Sequence, residues 1–168
     1  MMQTYKGKLD DFFRWVKGTE LVELSDINVS EDPVRPNLSL AFRTEFDRKI
    51  YGLQYDNSIE GIVCVAFTNE IPTTEKELEL MSKIASLESN PDIAIAYTVW
   101  SRKRGAGKEI IQKLRQYVSK EMPHIKRVVT LSPITPMATH FHIRNGAKLI
   151  NINDSTQNFE YTDAKGKK

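Results

Sequence analysis

Two of the chain's three histidines, His140 and His142, flank Phe141 in ATHFHIRNGAKLI (138–150), and Ser132 stands a few residues upstream in TLSPI. A hydroxyl and an imidazole that meet in a fold can work as nucleophile and base, or can together hold and protonate a polar substrate group. The plain alternative is a turn-forming Ser before Pro and an exposed His on a short helix. Spacing alone does not choose between them. His140 lies two residues from His142, hence on another helix face, and is expected to be structural or exposed. His124 follows Pro123 and is expected in a solvated loop. The three histidines and Asp154 are too scattered for a metal site, so no metal is expected.

A second stretch with chemical potential is SRKRGAGKE (101–109). Gly105 and Gly107 would let the backbone turn tightly and come close to a ligand. Arg102, Lys103, Arg104 and Lys108 would add positive charge where a helix begins, and the unpaired N–H groups of a first helical turn favour an anion. A pyrophosphate fits that chemistry. Lys108 is followed by Glu109 and not by Ser or Thr, so the loop is not a Walker A loop. Two glycines also fall short of the three-glycine dinucleotide fingerprint. A solvated basic turn is the plain alternative here.

The elements that must position these residues follow from periodicity. KLDDFFRWV places Leu9, Phe12, Phe13 and Val16 at helical spacing, and an irregular stretch with Pro33 and Pro36 follows. LSLAFRTEF (38–46) alternates Leu38, Leu40 and Phe42 as a half-buried strand does. KIYGLQY and GIVCVAF read as strands joined in a hairpin through DNS. After Pro72, TEKELELMSKIASLE reads as a helix, with Thr74 and Glu77 as a capping box and Leu80, Met81, Ile84 and Leu87 as its apolar face. DIAIAYTVW is a buried strand ahead of the basic loop. A helix over 108–122 follows, with Ile110, Ile111, Leu114 and Val118 on one face. RVVTLSPI is a strand, MATHFHIRN a short helix closed by Asn145-Gly146, and AKLININ and QNFEYTD are the last strands.

This order predicts a mixed α/β layer fold in one domain spanning 1–168, with an N-terminal helix and irregular segment over about 1–37, a core over 38–161 and a polar tail over 162–168. A length of 168 residues suits one full-sized core. A net charge of +2 does not call for a nucleic-acid partner. No apolar run is long enough for a membrane span or a signal peptide, so the cytoplasm is the expected compartment. Cys64, the single cysteine, excludes an internal disulfide and is expected to be buried in IVCVAF.

Arg102-x-x-Gly105-x-Gly107, set between a buried strand and an amphipathic helix, resembles the acyl-CoA pyrophosphate loop of the GNAT superfamily of N-acetyltransferases. ATHFHIRNGA is similar to that superfamily's AxxFYxxxGF stretch, with His142 where many of its acetyltransferases carry a general-acid tyrosine. Further blocks resemble the malonyl-CoA decarboxylase family, in that family's order, from about Ile62 to Asn153. IVCVAFTNEIPTT is similar to FVEVALTxGIPSS, and AIAYTVW falls at AxFYSIS. EMPHIKRVVTLSPI is similar to ELPxLKxFxTLSPIPGF, and HFHIRNGAKLININ to HFHLxNGAxLxRIN.

The resemblance implies a GNAT acyl-CoA-binding fold, a mixed and mostly antiparallel sheet with one parallel, splayed strand pair and flanking helices. It implies catalytic roles for Ser132 and His142, with Thr98 at the position of the family's strand serine. It implies that Val99, Trp100, Arg102, Lys103, Arg104, Gly105, Ala106, Gly107 and Lys108 bind the coenzyme A thioester, malonyl-CoA or acetyl-CoA. The family's helical N-terminal domain, its insertion ahead of the histidine and a carboxylate in its glycine-rich loop have no counterpart in these residues.

Decarboxylation of malonyl-CoA needs an aligned carboxylate, donors on the developing enolate oxygen and a proton for the carbanion. Backbone N–H groups of YTVW would serve the enolate. His142 would hold the carboxylate or supply the proton, and Ser132 would bond the carboxylate or orient His142. IAIAYTVWS has no acidic residue where some acetyltransferases place a base, which favours decarboxylation. An N-acyltransferase using His142 and a non-catalytic acyl-CoA-binding module are the rivals. No membrane or nucleic-acid partner is expected, and homo-oligomerisation stays open. DIAIAYTVW and RVVTLSPI should be parallel neighbours, joined by the 108–122 helix and parting near Thr98 and Ser132. Gly107→Val should block the cofactor and spare the fold.

Overall fold

The computed structural model describes residues 18–162. The helix expected around Leu9–Val16 and the end of the polar tail lie outside the described residues. β1 (Glu20–Leu24) pairs antiparallel with β2 (Lys49–Tyr55), β2 with β3 (Ser58–Thr68), and β3 with β4 (Ile93–Ser101). The β2–β3 hairpin turns at Asp56, which takes the left-handed conformation that Asp tolerates. β4 is parallel to β5 (Arg127–Thr130), and α3 (Ala106–Glu121) joins them, as expected. β8 (Thr156–Tyr161) runs antiparallel to β5, to the two-residue β6 (Ser132–Pro133) and to β7 (Ala147–Ile152). The result is a mixed, mostly antiparallel eight-stranded sheet with one parallel pair among the described residues.

Both faces of the central strands are covered, which is why β3 is apolar almost without alternation. Ile62, Cys64 and Ala66 face one side with Ile95, Tyr97 and Val129, beneath α1 (Leu40–Thr44) and α2 (Glu75–Glu88). Val63, Val65 and Phe67 face the other with Ala94 and Ala96, beneath Ile110, Leu114 and Val118 of α3. The apolar face expected for α3 is the buried one. No helix among the described residues is long and apolar enough to cross a membrane.

Three sequence expectations change. LSLAFRTEF is not a strand. Ser39 accepts the Phe42 N–H and caps a five-residue helix, and a turn with positive φ at Phe46 and Asp47 leads into β2. Alternation over three apolar residues is too short to outweigh a good N-cap. The strand at Glu20–Leu24 had no clear alternating signal. Finally, Leu80, Ile84 and Leu87 of α2 are 57%, 44% and 69% exposed, while Leu78, Ser82 and Ala85 face the sheet. Both stripes repeat at helical spacing. On the inner stripe Ser82 receives the buried Arg48 guanidinium at 2.6 Å, a bond that the outer, wholly apolar stripe could not make. Thr74 caps this helix as expected, but the Glu77 carboxylate reaches the Thr73 N–H and hydroxyl instead of closing on Thr74.

Candidate functional site

The β4/β5 ladder runs from Ile93 opposite Arg127 to Ala96 opposite Thr130 and ends with the Leu131 N–H donating to the Ala96 carbonyl at 3.2 Å. Beyond that rung β4 continues along β3 to Ser101, while the other chain leaves to pair Ser132 with Gln157 of β8. The strands part beside Thr98 and Ser132. A bulge in β4 accompanies the parting. Thr98 opposes Cys64 but Ala96 opposes Val65, so Tyr97 is the extra residue. In consequence the carbonyls of Ala96 and Tyr97 are both taken from the β5 side.

The apex of this splay is occupied by residues that sequence reasoning missed. Arg35 Nε donates to the Tyr97 carbonyl at 2.9 Å, and Arg35 Nη2 donates to the Leu131 carbonyl at 2.8 Å. Its Nη1 pairs with Glu75 at the start of α2, at 2.5 Å. Asp32 sits alongside. Its Oδ1 accepts the Val34 and Arg35 N–H groups and the Thr98 hydroxyl (2.8 Å), and its Oδ2 forms a fully buried ion pair with Arg43 at 2.8 Å. Thr98 is therefore buried with its proton committed to Asp32. The dipeptide Asp32-Pro33 signals a turn, but nothing local announces a partner 66 residues away.

The basic loop leaves β4 and turns at Gly105, whose φ is +86°. The Arg102 and Lys103 N–H groups return to the Glu60 carbonyl, Ala106 N–H to Lys103, and Glu109 N–H to Gly105. Among the described residues no backbone bond engages the N–H groups of Arg104, Gly105, Gly107 or Lys108. These N–H groups form a cradle at the mouth of a sixteen-residue helix, where the helix dipole favours negative charge. The side chains of Arg104 and Lys108 are exposed there. Arg102 is engaged elsewhere, with Nη2 on Glu31 at 2.7 Å, and Lys103 approaches Glu60. Val99 is half-buried, and Trp100 packs into the core with its indole N–H unpartnered among the described residues. Gly107 has a packing reason besides the one expected. A Cβ there would come within 3.0 Å of both the Phe141 ring and Ser101 Oγ. The glycine lets the short helix α4 (Pro136–Arg144) close on α3, so Gly107→Val would disturb packing as well as the cradle.

Thr135 caps α4, Pro136 opens it, and Gly146 at φ +100° closes it. His142 faces inward at 6% exposure, while His140 is exposed beside Ile143 and Arg144, and His124 is exposed too. His142 Nδ1 shares a 2.8 Å hydrogen bond with the Tyr161 hydroxyl, and its ring packs against Phe141 and Phe159. Nε2 makes no hydrogen bond among the described residues. Tyr161 had not been singled out from sequence. The Ser132 hydroxyl is buried and bonds Thr130 Oγ1 at 2.8 Å, and the same Thr130 oxygen accepts the Phe159 N–H. Ser132 and His142 do not bond each other. β8 links them, meeting Ser132 at Gln157 and His142 at Phe159 and Tyr161.

Burial lowers the His142 pKa from its ordinary 6.5 to about 4, because the charged ring loses its water. Between those values the unfolded chain holds a proton that the folded chain does not. Stability should therefore be full above pH 6.5, fall as the pH drops to about 4, and level off below. At about 1.4 kcal/mol per pKa unit, the loss is on the order of 3 kcal/mol. Urea unfolding between pH 7 and 4 measures it. His142→Gln should remove this share of the slope, and an unchanged slope would mean that the imidazole is not buried in its neutral form.

A parallel pair that splays after a bulge, with a basic glycine turn leading from the first strand into the crossover helix, can be compared with solved structures. The malonyl-CoA decarboxylase from Agrobacterium vitis matches at 18% identity over 86% of this chain and 41% of that one, with a TM-score of 0.59. GphF, a GNAT-like decarboxylase in complex with isobutyryl-CoA, matches at 12% identity over 84% of this chain and 98% of that one, with a TM-score of 0.66. The fold is the GNAT fold. A Bacillus subtilis acetyltransferase in complex with CoA matches at 7% identity over 84% of this chain and 95% of that one, with a TM-score of 0.56. No family model and no curated protein matches the chain. The chain spans less than half the length of the Agrobacterium decarboxylase it resembles. Within the GNAT fold of this protein, the cradle lies at the open end of the splay and the Arg35–Asp32 cluster at its apex.

Proposed function

We propose that this protein binds an acyl-CoA in the β4/β5 splay and decarboxylates malonyl-CoA, or a similar carboxyacyl thioester, to acetyl-CoA and CO2. The observation that carries the reading is the set of backbone N–H groups of Arg104, Gly105, Gly107 and Lys108, without backbone partners among the described residues, at the open end of a splay flanked by Ser132. The pyrophosphate takes the cradle, and the pantetheine arm runs between the strands. The bond between the carboxylate and the α-carbon breaks, its electron pair enters the thioester as an enolate, CO2 leaves, and the α-carbon takes a proton. Ser132 and a neutral His142 are suited to hydrogen-bond the acyl group. A substrate carboxylate near Nε2 favours the imidazolium, so binding draws in the proton that the carbanion later needs.

Acylation of an amine is the second reading, favoured by the likeness to the CoA-bound acetyltransferase. It needs a base. Asp32 is the carboxylate beside Thr98, and its two oxygens are already occupied by Arg43, Thr98 and two backbone N–H groups, which makes it a poor one. The deciding experiment incubates the protein with malonyl-CoA and with acetyl-CoA separately, without amine, and follows the CoA species by mass spectrometry. Acetyl-CoA formed from malonyl-CoA is the expected result. Binding of malonyl-CoA without turnover would sink the decarboxylase reading and leave an acyltransferase or a binding module.

The cradle has its own test. Reversing both exposed charges, Arg104→Glu with Lys108→Glu, should weaken CoA binding at least tenfold, about 1.4 kcal/mol, and leave the fold intact. Arg102→Ala should do little, because Arg102 is held by Glu31. Calorimetric titration with CoA measures both. An affinity unmoved by the double reversal would remove the loop from the site.

A further inference from the structure

We propose that Arg35 is a specificity-determining residue of the acyl slot, closing its inner end so that only short acyl groups fit. The inference rests on the reading that the pantetheine arm lies in the splay.

Where β4 and β5 part, the Tyr97 and Leu131 carbonyls both face the gap. Two acceptors cannot pair with each other, and buried carbonyls need donors. Arg35 supplies one to each. Its rigid fork stands where the next rung of the ladder would be, and it is only 6% exposed. Three anchors fix it there: Glu75 on its outer nitrogen, Asp32 on its own N–H, and the Arg43–Asp32 pair behind that. The guanidinium thus ties β4, β5 and the start of α2 together at one point.

The direction of the slot follows from the fold. β4 ends at Ser101, just ahead of the turn that leads to the cradle, and Tyr97 lies four residues back along it, about 13 Å at roughly 3.3 Å per residue. A thioester entering from the cradle end advances towards Arg35 and stops against it. The floor it meets is polar, made of the guanidinium and the Thr98 hydroxyl held by Asp32. An alkyl chain driven further would have to displace Arg35 and strand two buried carbonyls. An acetyl or malonyl group ends before that point and meets hydrogen-bonding atoms.

The test compares the parent protein with Arg35→Ala and Arg35→Lys, by calorimetric titration with CoA, acetyl-CoA and octanoyl-CoA. The parent should favour acetyl-CoA over octanoyl-CoA. Arg35→Ala should shift that ratio towards octanoyl-CoA at least tenfold while free CoA binds within threefold of the parent. Arg35→Lys should fall between, since one ammonium cannot span both carbonyls, and it carries the comparison if the alanine variant does not fold. A folded variant with an unchanged ratio would reduce Arg35 to a strand staple and overturn the proposal alone. A parent that binds none of the three compounds would overturn the acyl-CoA reading and this one with it.

Discussion

His142→Ala is expected to lower malonyl-CoA turnover by a factor of about 100 or more while changing CoA affinity by less than about threefold. Groups that transfer or hold a proton in a transition state contribute about 10²–10⁴ in rate. A loss in kcat that is not matched in binding marks an interaction made in the transition state. The position of the ring makes the test informative. His142 is buried, bonded through Nδ1 to Tyr161, and free of hydrogen bonds at Nε2 among the described residues. Alanine also leaves a void against Phe159, so His142→Gln, which fills more of it, serves as the control. Tyr161→Phe should retain the ring but loosen its orientation, with a smaller loss of rate. His140→Ala, on an exposed face of the same helix, should leave the rate unchanged. Full turnover by a folded His142→Gln protein would remove the imidazole from the mechanism.

Asp32→Ala should be the most damaging change to stability, at about 3–5 kcal/mol, because it leaves Arg43 charged and buried without its partner. Arg43 and Asp32 are both wholly enclosed, and Asp32 also satisfies two backbone N–H groups and Thr98. Folding free energies of single domains are about 5–15 kcal/mol, so the loss is a large share of the total. Asp32→Asn keeps an acceptor but not the charge and should fall between. Urea unfolding at pH 7 measures both. A cost under about 1 kcal/mol for the alanine variant would mean that the 32–43 segment is held by its apolar contacts and not by this pair.

The central architecture was legible in the sequence because its signals are local. The apolar runs of β3 and β4, the helical face Ile110–Val118, the DNS hairpin and the Asn145-Gly146 stop each depend on residues adjacent in the chain or one turn apart. The basic glycine turn at 102–108 was legible for the same reason, since backbone N–H groups at a helix mouth need no distant partner. Even there, a second reason for Gly107 lay elsewhere, in the Phe141 ring brought against it by α4.

Tertiary structure decided what depends on pairing across the chain. Periodicity offered α2 two stripes at helical spacing, and the one that carries Ser82, which receives the buried Arg48, faces the sheet. Asp32 and Arg35 look like turn residues until β4 and β5 part and leave carbonyls that only a side chain can reach. Ser132 and His142 are marked by their types and motifs, but their surroundings are set by β8, which brings Thr130, Phe159 and Tyr161 around them. A sequence pattern records which groups a helix or strand presents. Which of those groups end up desolvated, and against what, is settled only when distant segments exclude water together.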